Sequence, residues 1–243
     1  MEAYEQYFSR LLTILGRVLP EQKEAIETAA RRIADCVANQ GMVYTFGTGH
    51  GHLLALELFY RAGGLVRVCP VLDARLMLHV SASESTDWER KPGLAAALLS
   101  RYPARAGDVL LCVSNSGRNA APVEMAEAAK ALGMYTIALT SLAHSRSVSS
   151  RNALGKRLFE VCDLALDNGG VPGDAAVSFG DRMVGPTSTA VGAAILQAIV
   201  CRVAEIGNER GVDLEFYASS NIDGGDAINA RYIQAFRDSI PGL

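Results

Sequence analysis

The stretch "VLLCVSNSGRNAAP", residues 109–122, runs from an apolar segment into a turn rich in hydroxyl and amide side chains. Ser114 and Ser116 supply hydroxyl donors, Gly117 permits a close backbone approach, and Asn119 is a good N-cap for a following helix. A helix N-terminus attracts anions because its N–H groups are free and its dipole is positive at that end. The pattern predicts a phosphate site, although a turn that merely caps a helix would have the same composition.

A second glycine-rich turn lies in "FGTGHGHLLALELFYRAG", residues 46–63, after another short apolar segment. It does not have the glycine spacing of a dinucleotide fingerprint, and the next predicted strand does not end on an acidic residue. A dinucleotide-dependent oxidoreductase is therefore disfavoured. We expect the turn to contact the ligand through Gly47, Thr48, Gly49, His50 and Gly51.

An aldose–ketose isomerase needs a base beside the carbonyl carbon and a polar group for the oxygen. Glu57 lies in an apolar helical segment, where burial would raise its pKa and suit it to act as the base. The alternative for Glu57 is an ion pair with Arg61, four residues further on. His50 and His52 flank Gly51 and are candidate donors to a sugar oxygen, with helix capping as the alternative role.

Two longer polar segments, residues 79–93 and 167–189, are predicted to be loops at the edge of a sheet. In the first, Glu84 is an alternative acid/base group, as is Asp87, and Trp88 offers a stacking face. A surface position without a role is the alternative for each of them. In the second, Ser188 and Thr189 precede a long apolar helix and are predicted to reach the ligand.

Strand patterns alternate with helix patterns along most of the chain. Apolar residues at helical spacing predict two leading helices, residues 3–19 and 21–39, joined at Pro20. Short apolar runs predict five strands at 42–46, 65–69, 109–113, 135–139 and 158–166, with helices after the first strand and at 94–101, 119–132 and 187–206. The alternation indicates a parallel sheet covered by helices on both faces.

We expect one domain, with leading helices at residues 1–40, an α/β core at 41–208 and a C-terminal extension at 209–243. The net charge of −3 and the pI near 5.8 disfavour nucleic acid and anionic membranes as partners. Five widely spaced cysteines are typical of buried thiols in a reducing compartment, so we expect a cytoplasmic protein. No membrane span is predicted.

"SNSGRNAAPVEMAEAAKALGMYTIALTS", residues 114–141, closely resembles the SxSGxTxxxxxxxxxAKxxGxxxIAxT signature of SIS (sugar isomerase) domains. The resemblance covers roughly residues 25–210 and includes the start of the late helix, "GPTSTAVGAAILQAIV". Asn119 replaces the usual threonine, and Gly51 stands where serine is usual. The resemblance implies a three-layer αβα sandwich with a five-stranded parallel, flavodoxin-like sheet. It also implies that a phosphosugar is held by Ser114, Asn115, Ser116, Gly117 and Asn119.

The glycine-turn region is similar to that of phosphoheptose isomerases, which implies aldose–ketose isomerisation through an enediol. A histidine and a glutamate four residues apart help to hold zinc in those enzymes, and their places carry over to Glu57 and Arg61, of which arginine is no metal ligand. We therefore expect neither a metal nor a cofactor. The family also implies a homodimer or homotetramer. A phosphosugar-sensing regulator, and a lyase or deaminase acting on an amino-sugar phosphate, remain alternative functions.

Overall fold

In the computed structural model, which describes residues 1–243, five parallel strands form the central sheet. They are β1 (Val43–Gly47), β2 (Val68–Pro70), β3 (Val109–Val113), β4 (Tyr135–Thr140) and β5 (Leu164–Asp167), in the spatial order β2-β1-β3-β4-β5. The side chains of β1 alternate between two core clusters: Val43 belongs to one, and Tyr44 and Phe46 belong to the other. Every residue of β1 is buried because helices cover both faces of the sheet.

The helices are α1 (Ala3–Ala38), α2 (Gly51–Glu57), α3 (Ala82–Arg90), α4 (Leu94–Leu99), α5 (Ala120–Ala131), α6 (Leu142–Arg146), α7 (Leu158–Val161), α8 (Ser188–Arg210) and α9 (Gly225–Phe236). The long helices α1 and α8 pack on one face of the sheet, and α4 and α5 pack on the other. The predicted three-layer αβα sandwich with a five-stranded parallel sheet is therefore confirmed.

The two predicted leading helices are wrong, because α1 is one helix of 36 residues with Pro20 inside it. A proline in a helix interior costs about 3 kcal/mol through a lost hydrogen bond and a steric clash. Burial on both sides of Pro20 offsets this cost, since Ile14 and Val18 before it and Ile26 and Ala29 after it join the same core cluster. Continuous packing against the sheet and α8 keeps the helix in one piece.

Two of the predicted strands are shorter than expected. In the segment 158–166 only the end forms β5, and the beginning is the single turn α7. That turn is held by a capping box between Arg157 and Glu160 and by the Leu158 N–H, which donates to the Gly117 carbonyl at 2.8 Å. In the segment 65–69 the first residues turn away from the sheet, and Leu65 forms an antiparallel bridge with Phe216.

The predicted loop at 79–93 is largely the helix α3. Ser85 is buried and its hydroxyl donates to the Ala82 carbonyl at 2.9 Å. Trp88, three residues further on, packs against the core between Arg75 and Lys91. A short surface helix needs only a few buried residues, so most of its residues are polar and its composition resembles that of a loop.

The predicted loop at 167–189 contains an antiparallel hairpin of β6 (Ala175–Phe179) and β7 (Arg182–Pro186). The hairpin packs on α1, where the Tyr7 hydroxyl donates to the Pro186 carbonyl at 3.0 Å. The side chain of Val177 is its main buried contact. The hairpin packs against a helix that is distant in the chain, so the local sequence pattern does not predict it.

Helix α8 has 23 residues and a mean hydropathy of 1.6 over its most apolar window, so by composition it is long and apolar enough to cross a membrane. Half of that window is buried inside the protein. Ile195, Ile199 and Val203 pack in the same core cluster as the inward face of α1. This packing is typical of the core helix of an α/β domain.

Candidate functional site

A cleft of about 530 Å³ opens where β1 and β3 end. Strands β1 and β3 are adjacent in the sheet. The strand that follows β1 in the chain, β2, lies on the far side of β1, and the strand that follows β3, β4, lies on the far side of β3, so the strand order reverses between β1 and β3. Open α/β sheets bind ligands at such a reversal of strand order. Ten of the predicted binding residues line the cleft: Thr48, Gly49, His50, Gly51, Ser114, Asn115, Ser116, Asn119, Ser188 and Thr189.

The turn after β3 is shaped by its own side chains and by a contact from α7. The Ser114 hydroxyl accepts a hydrogen bond from the Gly117 N–H at 3.2 Å, which folds the turn back on itself. Gly117 adopts a φ of +57°, and a Cβ there would lie 3.0 Å from the Cβ of Leu158. Gly117 therefore supports the turn from behind and does not line the cleft.

Asn115 joins the turn to the ends of the next two strands. Its carbonyl accepts hydrogen bonds from the Thr140 hydroxyl and the Ser141 N–H, both at 3.1 Å. Its side-chain oxygen accepts from the Asn168 amide at 2.9 Å. Asn115 is therefore held at both its backbone and its side chain by the protein itself.

The N-terminus of α5 faces the cleft without a cap from its own side chains. Asn119 is the N-cap residue, yet it makes no capping hydrogen bond. Its side chain is 8% exposed, and its Oδ1 atom has no hydrogen-bond partner. A buried polar atom without a partner is rare in proteins and often marks the position of a ligand. The arrangement suits an anion that accepts from the helix N–H groups and the Asn119 amide.

The N-terminus of α8 also faces the cleft, and it is capped by the protein itself. The Asp174 carboxylate accepts hydrogen bonds from the backbone N–H groups of Thr187 and Ser188, at 3.2 and 2.9 Å. Asp174 brings a negative charge to this helix end, which would repel a second anion. Of the N-termini of α5 and α8, only that of α5 lacks a negatively charged cap.

The glycine turn after β1 brings the backbone close to β3. A Cβ on Gly51 would lie 2.9 Å from the carbonyl oxygen of Val113. A side chain at residue 51 would therefore require the backbone here to shift. Gly47 sits inside the turn, against the backbone of Gly51, and does not line the cleft. Thr48 and His50 contribute the side chains that do.

The predicted acid/base residues Glu57, His52, Glu84 and Asp87 do not line the cleft. The Glu57 carboxylate is bound by the Arg61 guanidinium and by the Gln197 amide of α8, so the predicted alternative of an ion pair is the arrangement found. His52 is buried behind the turn, 5% exposed, with Nδ1 3.3 Å from the Gly49 carbonyl. Glu84 is exposed in the first turn of α3.

Four polar residues line the cleft that the sequence did not single out: Glu89, His144, Asn168 and Asp174. His144 and Asn168 follow the ends of β4 and β5. Parallel sheets bind ligands at the carboxyl ends of their strands, and this rule applies to β4 and β5 as it does to β1 and β3. It therefore predicts both residues as candidates. Glu89 lies five residues after Glu84, in the segment that was predicted to be a loop. Because no helix was predicted there, the sequence did not indicate which side chains of this segment face the cleft.

Burial lowers the pKa of His144, and the nearby Arg118 lowers it further, while the charge of Asp174 raises it. The pKa of His52 is also lowered, chiefly by burial. Both shifts favour the neutral form of the imidazole. Among the His, Cys, Asp and Glu side chains of the chain, no group of three or more is placed to hold a metal ion together.

Comparisons with known proteins agree with this fold. A solved phosphoheptose isomerase from Francisella tularensis aligns with 84% of this chain and 100% of its own, at a TM-score of 0.56 and 18% identity. A putative phosphosugar isomerase involved in capsule formation from Bacteroides fragilis aligns with 91% of this chain and 96% of its own, at a TM-score of 0.59 and 19% identity. At these identities the likeness concerns the fold alone.

Sequence relatives extend over nearly the whole chain. A UPF0309 protein of Geobacillus thermodenitrificans is 42% identical over 241 residues, which are 98% of this chain and 97% of the relative. A UPF0309 protein of Halalkalibacterium halodurans is 39% identical over 239 residues, 98% of this chain and 96% of the relative. The sequence pattern of the SIS domain matches residues 6–141. The chain therefore belongs to the SIS domain family.

Proposed function

We propose that this protein binds a sugar phosphate in the cleft and isomerises it between aldose and ketose forms. The observation that carries the proposal is the N-terminus of α5, which has no side-chain cap, with the hydroxyls of Ser114 and Ser116 and the side-chain NH2 group of Asn119 beside it. A phosphate dianion offers acceptors to these donors and complements the positive end of the helix dipole.

The remainder of the cleft suits a polyhydroxylated sugar. Its lining is rich in side chains that both donate and accept hydrogen bonds, including Thr48, Asn168, Ser188 and Thr189. The volume of about 530 Å³ lies within the usual range for small-molecule sites. The phosphosugar isomerase names of the solved relatives support the same class of ligand.

A thermal-shift panel tests the binding half of this proposal. Heptose, hexose, pentose and N-acetylated amino-sugar phosphates would be compared with the unphosphorylated sugars and with NAD. A ligand present at 100 times its Kd stabilises a protein by about 2.7 kcal/mol, which a melting curve detects. The Ser114→Ala, Ser116→Ala double variant should lose the shift. A matched double variant at exposed serines outside the cleft, Ser9→Ala with Ser83→Ala, should keep it.

The chemical half is tested on the sugar phosphates that bind, by following product formation with NMR. Aldose–ketose interconversion without loss of a fragment or of ammonia supports the isomerase over a lyase or deaminase. Binding without any conversion would support the phosphosugar-sensing regulator. An equal thermal shift in wild type and the Ser114→Ala, Ser116→Ala variant would show that the turn only caps α5.

We further propose that the protein is a homodimer or homotetramer. Tyr4, Phe8 and Leu12 form an apolar stripe on α1 that is exposed by 60% or more. Phe179 and Met183 of the hairpin are exposed by 67% and 57%. Exposed apolar side chains grouped on one helix and on a hairpin that packs against it are typical of an interface. Because Met183 also lines the cleft, a second copy seated here would border the site.

Sedimentation of the full chain tests this assembly. Phe8→Glu should shift the population toward monomer, because a charge would be buried in the interface. Leu132→Glu, at an exposed leucine at the end of α5, is the control and should leave the mass unchanged. A monomeric wild type would refute the proposal.

We also propose that the protein works in the cytoplasm. All five cysteines are unpaired, and Cys36, Cys69 and Cys112 are buried. Unpaired thiols in this number are typical of a reducing compartment. Cell fractionation of the tagged full chain tests the location.

A further inference from the structure

Two carboxylates line the cleft, Glu89 and Asp174. Asp174 is engaged at the N-terminus of α8, where three donors from Thr187 and Ser188 occupy its oxygens. Glu89 is half-buried in the last turn of α3 and takes part in none of the side-chain hydrogen bonds or ion pairs of the chain. Glu89 is therefore the carboxylate that is free to accept a proton from a ligand.

His144 is the half-buried imidazole of the cleft. Its Nδ1 atom is buried and has no hydrogen-bond partner, whereas Nε2 is not among the buried atoms that lack one. A buried N–H without an acceptor is rarer in proteins than an acceptor without a donor. The proton of the neutral ring is therefore expected on Nε2, which is the nitrogen that a ligand can reach. The ring is then a hydrogen-bond donor to the ligand.

Both residues are tied to the elements that would hold the phosphate. The Ser141 hydroxyl accepts from the backbone N–H of His144 at 3.1 Å, and the backbone N–H of Ser141 donates to the Asn115 carbonyl in the turn after β3. Beyond the end of α3, the Gly93 N–H donates to the Glu124 carboxylate of α5 at 2.8 Å. These contacts link the backbone at His144 and the segment after α3 to the turn and the helix that would hold the phosphate, and both side chains line the same cleft.

We propose that Glu89 and His144 are the catalytic pair of this cleft, with Glu89 as the base and His144 as the neutral donor to the carbonyl oxygen of the sugar. The assignment rests on the proposed isomerase function and replaces Glu57, His52 and Glu84 in those roles. It also predicts the substrate class: an aldose or ketose phosphate with an accessible hydrogen beside its carbonyl carbon.

The proposed step is balanced without any further reactant. Glu89 takes the proton from C2 of the aldose, the C–H electron pair forms the C1–C2 double bond, and the carbonyl pair moves onto O1. The Nε2–H of His144 donates a hydrogen bond to the negative O1 without being transferred. The hydroxyl proton then passes from O2 to O1, and Glu89 returns its proton to C1, which leaves the ketose.

The tautomer of His144 is measured by long-range proton–nitrogen NMR on the full chain labelled in its histidines. His144→Gln identifies the signals by their loss. We expect Nε2 protonated and Nδ1 unprotonated at pH 7, with no ligand added. A proton on Nδ1, or a doubly protonated ring at this pH, would overturn the role of His144, whatever sugar the protein binds.

The base is tested by exchange in deuterated water with each sugar phosphate that gives a thermal shift. Loss of the C2 proton signal reports the abstraction step directly. We expect Glu89→Gln to slow exchange by about 10²-fold or more, and His144→Gln by about 10²-fold, with little change in Kd. Glu127→Gln, an exposed residue of α5, and His79→Gln, an exposed histidine outside the cleft, should exchange like wild type.

The possible negative results of these experiments have different meanings. Exchange at the wild-type rate in Glu89→Gln overturns the assignment while the isomerase function stands. A wild type that binds sugar phosphates without either exchanging the C2 proton or converting aldose to ketose overturns the catalytic pair while binding stands. If no sugar phosphate binds, the proposed function fails together with the pair.

Discussion

The carboxylate of Asp174 accepts hydrogen bonds from the backbone N–H and the hydroxyl of Ser188, at 2.9 and 2.5 Å. This contact decides which helix end at the cleft is open to a ligand anion. The end of α8 carries its own negative charge, and the end of α5 carries none, with Asn119 as an unused cap. The sugar phosphate is thereby expected to bind in one direction, with its phosphate at α5 and its sugar toward α8.

Asp174→Ala should lower the free energy of unfolding by about 1–2 kcal/mol, because the N-terminal N–H groups of α8 lose a charged acceptor. Urea unfolding measures the change. Asp223→Ala, which removes an exposed carboxylate before α9, is the matched control and should have little effect. Equal stability in wild type and Asp174→Ala would mean that water replaces the cap at no cost.

Asn119→Asp should weaken the binding of a sugar phosphate at least tenfold, because a carboxylate would face the phosphate. Asn119→Thr, which introduces the residue usual in the family, should keep the affinity within about threefold, since its hydroxyl can still donate. Titration calorimetry measures both Kd values, with wild type as the reference. If the Asp variant bound as tightly as wild type, the phosphate would not lie beside residue 119.

Glu57→Gln should leave sugar phosphate binding and C2 proton exchange near their wild-type values. The Glu57 side chain is 26% exposed and its partner Arg61 is 49% exposed, so the ion pair contributes less than about 1 kcal/mol to stability. The same NMR exchange assay and a urea unfolding curve check both expectations. Loss of exchange with intact binding would restore Glu57 as the base.

Acid should weaken the support behind the phosphate turn. Hydrogen bonds from Arg157 lower the pKa of Glu160 from 4.5 to about 2, and α7, which they cap, backs Gly117 through Leu158. A carboxyl whose pKa is lower in the folded state stabilises the fold above its unfolded pKa and loses that contribution as the pH falls. Partial exposure of both side chains keeps the contribution modest.

Urea unfolding of wild type and Glu160→Gln between pH 7 and pH 2 tests this dependence. Wild type should be the more stable protein by a constant amount above about pH 5. The difference should shrink as the pH falls from 4.5 toward 2, the interval between the unfolded and folded pKa values of Glu160. A difference that is unchanged at pH 2 would show that the charge of Glu160 is not its source.

Local patterns were sufficient for the elements whose partners are close in the chain. The apolar runs of β1, β3 and β4 and the turn from Ser114 to Asn119 were predicted correctly, because strand burial and turn geometry depend on neighbouring residues. The segment 158–166 was mistaken for one strand. Its first half is fixed as a helical turn by a contact with Gly117, about forty residues away, which no local pattern contains.

The position of the cleft also followed from the sequence, since parallel strands that alternate with helices leave their carboxyl ends at one edge of the sheet. The sequence did not determine which carboxylate lines the cleft. Glu57 and Glu89 both lie on helices beside this edge, and only packing decides which one faces inward. Helix α2 turns Glu57 toward Gln197 of α8, while α3 turns Glu89 into the cleft.

The sequence by itself determined the family, the order of the main strands and the residues of the turn after β3, because these depend on residue types at short spacing. Only the tertiary structure decided that α1 continues through Pro20, that Asp174 closes the end of α8, and that Glu89 and His144 face the cleft. The physical reason is common to all three. Each depends on the packing of one element against others distant in the chain, and that packing sets which side of a helix or loop is buried.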